Sequence, residues 1–294
     1  MDTTTISAVI SLSSLGVIAS TILYIASKKF QVIEDPIIDE VDEILPSANC
    51  GGCGLAGCRN FAEEIVKSKD LTNFYCPVGG NELMEEIANL LGLVAEKKDP
   101  LIAVIKCSGH IHNTPLKTEY DGAVNCSVSH FLFSGEKGCA YGCMGLGDCE
   151  RVCNFGAITI DEEKHLAVVD EEKCTGCNMC IVACPRDIIE LRPKGKKNRR
   201  IYVACNNHEK GGIAKKNCIV ACIGCSKCLK VCDKFNAITI KENLAYIDAE
   251  LCKNCRKCVA VCPTNAILEL NFPPKKERKP KIKSEQKVEK GENR

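Results

Sequence analysis

The chain begins with a long uncharged segment, because residues 3–27 contain no Asp, Glu, Lys or Arg. Its apolar part, residues 6–26, would span about 30 Å as an α-helix, the thickness of a bilayer's hydrocarbon core. No positive start or cleavage site is evident, so an uncleaved membrane anchor is favoured over a secretory signal. Lys28 and Lys29 follow the segment and only Asp2 precedes it, which predicts a cytoplasmic carboxyl side.

Helical spacing returns after an acidic stretch at residues 31–46, which is interpreted as a linker or a short helix. Apolar residues three or four positions apart then predict two amphipathic helices. The residues on these faces are Phe61 and Ile65, and then Leu83, Ile87 and Leu90.

Strand patterns follow in the second part of the chain. Residues 101–106 read L-I-A-V-I-K and predict a buried strand. Two short hairpins are predicted, one from residues 157–160 with 166–169 and one from residues 237–240 with 244–247. Residues 275–294 are highly charged without a periodic apolar face, so they are expected to be disordered. The predicted fold class is α+β.

Cysteine is the residue type that changes this picture, since the chain has 24 cysteines, no tryptophan and 5% aromatic residues. Two groups have the spacing C-x2-C-x2-C-x3-C followed by proline, which is the spacing of bacterial ferredoxins. These groups are Cys174, Cys177, Cys180 and Cys184, and Cys252, Cys255, Cys258 and Cys262. In such proteins the fourth cysteine of one motif binds the 4Fe-4S cluster of the other, so the motifs work in pairs.

The second motif has a regular partner, which shares its spacing but has Asp233 where proline is usual. This partner is Cys222, Cys225, Cys228 and Cys232. Crossed ligation predicts one cluster at Cys222, Cys225, Cys228 and Cys262, and another at Cys252, Cys255, Cys258 and Cys232.

The first motif has an irregular partner, and an internal repeat relates it to the regular one. The irregular group is Cys139, Cys143, Cys149 and Cys153, which a shift of 79 residues moves onto Cys218, Cys222, Cys228 and Cys232. The predicted clusters are Cys139, Cys143, Cys149 with Cys184, and Cys174, Cys177, Cys180 with Cys153. Leu146 falls opposite Cys225 in this alignment, so we expect Cys139 to replace the missing ligand. Cys218 is then expected not to be a ligand.

A fifth group lies upstream within a glycine-rich loop that could fold closely around a cluster. It consists of Cys50, Cys53, Cys58 and Cys76. Gly52, Gly54 and Gly57 also match a dinucleotide-binding fingerprint, but no strand precedes them, so this interpretation is disfavoured. Five 4Fe-4S clusters are therefore predicted, and no catalytic residue is predicted.

Disulfides and zinc are the alternative uses of so many cysteines. Disulfides need an oxidising compartment, whereas the predicted topology keeps these thiols in the cytosol. Zinc ribbons use two separated C-x2-C pairs, so zinc fits the irregular groups better than the regular ones. The remaining Cys107, Cys126, Cys205 and Cys218 are expected to be buried apolar residues, and a sixth cluster formed by them is left open.

Charge gives no case for nucleic acid, because the net charge is +1. The second half is nevertheless locally basic. Its basic residues are Arg192, Lys194, Lys196, Lys197, Arg199, Arg200, Lys227, Lys230, Lys253, Arg256 and Lys257. They form either an ordinary solvated face or a surface that steers an acidic electron carrier toward the clusters.

Taken together, the motifs resemble the B subunit of the Rnf membrane complex, a ferredoxin:NAD oxidoreductase that couples electron transfer to ion translocation. The resemblance rests on the anchor, on the C-G-G-C-G-L-A-G-C run at residues 50–58, and on the G-L-G-D-C run at residues 145–149. Many family members carry one ferredoxin pair, so the second pair resembles an extended form.

This resemblance implies a single-pass protein of the cytoplasmic membrane whose iron-sulfur domains face the cytoplasm. It implies that reduced soluble ferredoxin donates electrons, which pass toward flavin and NAD on other subunits of the complex. A membrane-anchored ferredoxin subunit of a hydrogenase or of a redox-sensor-reducing system is the alternative function. A zinc scaffold and a corrinoid-linked protein are less favoured.

The predicted organisation has six segments. They are an anchor at residues 1–27, an acidic linker at 28–45, a single-cluster domain at 46–99, two ferredoxin-like domains at 100–193 and 194–271, and a charged tail at 272–294.

Overall fold

The computed structural model describes residues 3–30 and 35–274, and it has the mixed helix and strand content that the sequence predicts. The charged residues 275–294, for which disorder is predicted, lie outside the described residues. The helices are α1 Thr3–Lys29, α2 Pro36–Ile44, α3 Cys58–Ser68, α4 Gly80–Leu91, α5 Cys126–Phe133, α6 Asp148–Arg151, α7 Met179–Ala183, α8 Gly211–Asn217, α9 Lys227–Lys230 and α10 Lys257–Val261, with a 3-10 turn at Lys196–Asn198. The strands are β1 Leu101–Ile105, β2 Ile158–Asp161, β3 Leu166–Val169, β4 Ile189–Pro193, β5 Arg200–Val203, β6 Ile238–Lys241, β7 Leu244–Ile247 and β8 Ile267–Leu270.

Two compact units divide the chain, at residues 1–98 and 99–294. In the first unit, α1 is apolar on all sides, and the segment Val9–Lys29 is long and apolar enough to cross a membrane. Hydroxyl groups within it bond back to helix carbonyls, as Ser20 Oγ does to Val17 O at 3.0 Å and Thr21 Oγ1 does at 2.7 Å. These bonds satisfy the polar side chains without water.

Helix α2 occupies part of the predicted acidic linker. It begins at Pro36, and the Asp35 side chain caps it by accepting a hydrogen bond from Ile37 N at 3.1 Å. Most of its acidic residues are exposed, whereas Ile38 and Val41 are buried in the same core as α3 and α4. The segment is therefore a packed helix of the single-cluster module.

The core of this module lies among α2, α3 and α4. Phe61, Ile65 and Ile87 are buried as predicted, at 1% or less exposure. Leu90, which was also predicted on the apolar face, is instead 41% exposed. Met84, which was not predicted there, is buried in the core. Positions 84, 87 and 88 share the inner face of α4, whereas position 90 lies beyond its edge.

The second unit contains two copies of one arrangement. Each copy has two small antiparallel sheets, which are β1–β4 and β2–β3 in the first copy and β5–β8 and β6–β7 in the second. The predicted hairpins are present, with Ile158 opposite Val169 and Ile238 opposite Ile247. Strands β4, β5 and β8, which the sequence pattern did not indicate, close each copy by pairing its two ends.

The two copies pack against each other as one unit. Arg192 of the first copy is 3% exposed, and its Nη2 donates to Ile247 O of the second at 2.8 Å. Ser108 N donates to Ala204 O at 3.1 Å, and Ile219 N donates to Asn113 O at 2.9 Å. Arg192 is thus a structural residue, although its sequence context placed it in the basic group.

We expect Val41→Ala to destabilise the single-cluster module by about 2 kcal/mol, because it removes two buried methyl groups and leaves a cavity. Native-state hydrogen exchange of α2 and α3 would measure this change. The control is Glu40→Ala on the exposed side of the same helix, which should change protection little. Equal protection in both variants would mean that α2 is only a linker.

Candidate metal centres

In the single-cluster module, all four predicted cysteines line one cavity of about 320 Å³. These residues are Cys50, Cys53, Cys58 and Cys76. Asn49, with a positive φ of 46°, accepts a hydrogen bond from Cys58 N at 2.9 Å and so closes the loop. Gly79 N donates to Cys76 Sγ at 3.4 Å. Such N–H donors stabilise a sulfur that carries negative charge.

In the second copy, the structure brings together the cysteines that crossed ligation would pair. One cavity of about 350 Å³ is lined by Cys222, Cys225, Cys228 and Cys262. The cysteines of the other set also lie near one another. Burial raises the pKa of Cys252 most, and the nearby thiols of Cys232 and Cys255 raise it further. Burial raises the pKa of Cys258 to about 12, and Cys252 and Cys255 contribute to the same rise.

In the first copy, one set also agrees with the prediction. Burial raises the pKa of Cys180 to about 12, and the nearby thiols of Cys174, Cys177 and Cys153 add to this effect. These four residues are the set expected from crossed ligation. Backbone donors reach two of the sulfurs, since Ala103 N lies 3.5 Å from Cys174 Sγ and Ala157 N lies 3.3 Å from Cys153 Sγ.

The other set of the first copy differs from the expected one. Its cavity of about 370 Å³ is lined by Cys126, Cys143, Cys149 and Cys184. Cys126 therefore occupies the place expected for Cys139. The repeat alignment left one cysteine position of this set without a counterpart, and the fourth cysteine that lines the cavity comes from α5, which carries none of the ferredoxin spacing.

The G-L-G-D-C run at residues 145–149 explains how Cys126 reaches this cavity. Asp148 is 8% exposed, and its carboxylate accepts hydrogen bonds from Cys126 N at 2.8 Å and Ser127 N at 3.0 Å. Gly145 has a φ of 78°, and a Cβ there would lie 2.4 Å from His165 O. The glycine thus lets the loop lie against the hairpin, and the aspartate holds the first turn of α5 beside it.

A further cavity of about 340 Å³ is lined by Cys139 and by three of the four cysteines for which no ligand role was expected. Its cysteines are Cys107, Cys139, Cys205 and Cys218. All four are buried, as expected of small apolar residues, yet they converge from both copies. The twenty-four cysteines thus divide into six sets of four.

Burial makes the charged form of these thiols unfavourable in the absence of a cation. It raises the pKa of Cys149 to about 12 and the pKa of Cys228 to about 11. A bound iron supplies the positive charge that a buried thiolate needs.

Within residues 3–30 and 35–274, no three His, Cys, Asp or Glu side chains are arranged to hold a metal ion. A 4Fe-4S cluster binds each thiolate through a different iron, so its four cysteines stand around a cavity instead of meeting at one point.

Several basic residues of the second unit are already paired. Arg200, 5% exposed, pairs with Glu171, and Arg256 pairs with Glu269. Lys253 and Lys257 are exposed, and no described carboxylate forms an ion pair with either. The predicted basic surface is therefore smaller than the sequence indicated.

Three family models match the chain. A 4Fe-4S dicluster domain matches residues 140–191, a second 4Fe-4S dicluster domain matches residues 221–266, and a putative Fe-S cluster family matches residues 45–77.

Three curated relatives are similar over most of their length, and each is the B subunit of a membrane oxidoreductase complex. That of the ion-translocating oxidoreductase complex of Methanosarcina acetivorans is 40% identical over 91% of this chain and 99% of its own. The B subunit of the Na(+)-translocating ferredoxin:NAD(+) oxidoreductase complex of Acetobacterium woodii is 42% identical over 87% of this chain and 75% of its own. The B subunit of the proton-translocating ferredoxin:NAD(+) oxidoreductase complex of Clostridium ljungdahlii is 36% identical over 90% of this chain and 92% of its own.

We expect Cys126→Ser to lose one cluster, about four iron atoms per chain, because serine is a poor ligand for a 4Fe-4S cluster. Iron and acid-labile sulfide assays of the anaerobically purified protein would measure the loss. Ser127→Ala is the control, since it changes a neighbouring side chain that also contacts Asp148 but removes no thiol. Unchanged iron in Cys126→Ser would return Cys139 to this cluster.

Proposed function

Because the chain belongs to the family of the Rnf ion-translocating oxidoreductase B subunits, we propose that it accepts electrons from reduced ferredoxin and passes them to other subunits. The crossed four-cysteine cavities carry this proposal, because crossed ligation keeps two clusters close enough for electron transfer. The chain is an oxidoreductase component with 4Fe-4S domains, and its apolar helix and its relatives indicate membrane association. Flavin and NAD would be handled by other subunits.

Five sets of cysteines would hold the clusters of this function. They are Cys50, Cys53, Cys58 and Cys76; Cys126, Cys143, Cys149 and Cys184; Cys153, Cys174, Cys177 and Cys180; Cys222, Cys225, Cys228 and Cys262; and Cys232, Cys252, Cys255 and Cys258. A bound 4Fe-4S cluster supplies one-electron oxidation and reduction. The residues around it set its potential, because N–H groups directed at sulfur stabilise the more negative reduced state.

Electron entry is proposed at the second copy. Cys225 and Cys255 are the two exposed cysteines of the chain, so their clusters would lie nearest to solvent. Lys227 lines the same cavity as Cys225, and Lys253 and Lys257 flank Cys255 in the sequence. Lysines around a cluster attract an acidic electron carrier and raise its association rate.

The iron-sulfur domains are proposed to face the cytoplasm. Lys28 and Lys29 lie at the carboxyl end of α1, and no acidic residue lies in its first turn. Basic residues beside an apolar helix favour the cytoplasmic side of the membrane.

The central test of this function is reduction of the anaerobically purified protein by reduced ferredoxin. We expect at least about twenty iron atoms per chain, for five 4Fe-4S clusters, and EPR signals of reduced clusters after ferredoxin is added. Stoichiometric zinc without iron would exclude electron transfer. Iron clusters that dithionite reduces but ferredoxin does not would retain the clusters and reject ferredoxin as the donor.

Charge reversal tests the proposed entry surface. Lys253→Glu with Lys257→Glu should slow reduction by ferredoxin at low salt, and the difference should shrink as salt screens the charges. Stopped-flow measurement of cluster reduction gives this rate. The matched control is Lys67→Glu with Lys69→Glu, which makes the same net charge change at the end of α3. Equal rates for both double variants would place electron entry elsewhere.

A further inference from the structure

We propose that Cys107, Cys139, Cys205 and Cys218 form a sixth 4Fe-4S site, the junction site, which connects the clusters of the two copies. The inference rests on the proposed electron-transfer function. All four residues lie outside the matched ranges 140–191 and 221–266. They nevertheless line one cavity, as the cysteines of three other sets do.

Two glycines leave room between the sulfurs of this site. A Cβ on Gly109 would lie 3.4 Å from Cys218 Sγ and 3.5 Å from Cys107 Sγ. A Cβ on Gly142 would lie 3.3 Å from Cys107 Sγ and 3.6 Å from Cys139 Sγ. Three sulfurs therefore border positions where any other residue would place a methyl group.

The sulfurs receive hydrogen bonds that are equivalent in the two copies. Cys107 Sγ accepts from Gly109 N and Cys143 N, both at 3.3 Å. Cys205 Sγ accepts from Asn207 N at 3.5 Å and Cys222 N at 3.3 Å. The buried Asn207 also directs its Nδ2 to Cys139 Sγ at 3.5 Å. Donors directed at several sulfurs are typical of sites that hold a negatively charged cluster.

A buried cation also indicates a negatively charged ligand. Lys137 is 4% exposed and lines the cavity, and its ammonium group donates to Gly109 O at 3.2 Å and His165 O at 2.6 Å. No carboxylate is among the described ion-pair partners of this lysine, which lines the cavity together with Cys107 and Cys218. A cluster with four thiolates is negatively charged and would compensate this cation.

A hydroxyl without a described partner lies at the same place. Thr114 is 1% exposed, and its Oγ1 has no hydrogen-bond partner within the described part of the chain. It borders the Gly109 Cβ position at 3.0 Å, beside the sulfurs of Cys107 and Cys218. A buried hydroxyl without a partner is costly, so Thr114 leaves an unsatisfied polar group beside the wall of the site.

The position of the site gives it the role of a connection. Two of its four backbone donors, Cys143 and Cys222, are cysteines of the adjoining sets, one in each copy. One electron would leave a cluster of one copy, reduce the junction cluster, and then reduce a cluster of the other copy. No proton or covalent bond changes in these steps, and the low-potential iron-sulfur donor of the proposed function supplies the electron.

Serine variants of the full chain test the site. We expect about 24 iron atoms in the unmodified protein and about 20 in Cys205→Ser, in Cys218→Ser and in the double variant, because both cysteines hold the same cluster. Ile219→Ser places a hydroxyl at an exposed position beside Cys218 without removing a thiol and should keep all the iron.

Two further readouts separate the possible results. About 20 iron atoms in the unmodified protein, unchanged in the variants, would overturn the junction site and leave the proposed function intact, whereas no iron at all would overturn both. One zinc per chain that disappears in the variants would overturn the cluster assignment.

Freeze-quench EPR after addition of less than one equivalent of reductant should find electrons confined to one copy in the double variant. If electrons still reached the clusters of both copies despite the loss of iron, the connecting role would be rejected.

Discussion

The structure depends on keeping negative sulfur atoms inside a small protein. Burial disfavours the thiolate, as the raised pKa values of Cys107, Cys149 and Cys205, each about 12, indicate. Iron cations and backbone N–H groups are the two sources of compensation, and both require a loop that wraps closely around the site. The cores of the second unit are consequently built around cysteines, with small and branched apolar residues between them. This composition explains how a chain with no tryptophan forms compact modules.

The two copies of the second unit differ at one cysteine position. Leu146 stands where the other copy has Cys225, and the loop between Cys107 and Cys139 is longer than the loop between Cys205 and Cys218. The longer loop carries α5 and Cys126, which Asp148 holds beside the incomplete cavity. The insertion and the substitution thus compensate each other. Asp148 links them, because its carboxylate accepts hydrogen bonds from the first turn of α5.

The sequence predicted those parts of the sites that are local. Spacing of two or three residues fixes which cysteines share a loop, so the regular motifs and the hairpins between them could be found from the pattern. Cys126 could not be assigned, because its position depends on a side-chain contact with Asp148 across 22 residues. Arg192 and Arg200 looked like part of an exposed basic patch, although pairing with Glu190 and Glu171 permits their burial. One overlooked signal was the recurrence of Cys-x-x-His at residues 107–110 and 205–208.

The shared cavity also changes what the duplication means. If each copy were an independent ferredoxin domain, the contacts between them would be ordinary polar and apolar packing. Instead, Cys107 and Cys139 come from one copy and Cys205 and Cys218 from the other, so neither copy alone can supply four thiols to that cavity. The hydrogen bonds of Ser108 to Ala204 and of Ile219 to Asn113 hold the same region together. A cavity that takes two cysteines from each copy gives a physical reason to keep both copies together, because either copy alone would leave it with two thiols.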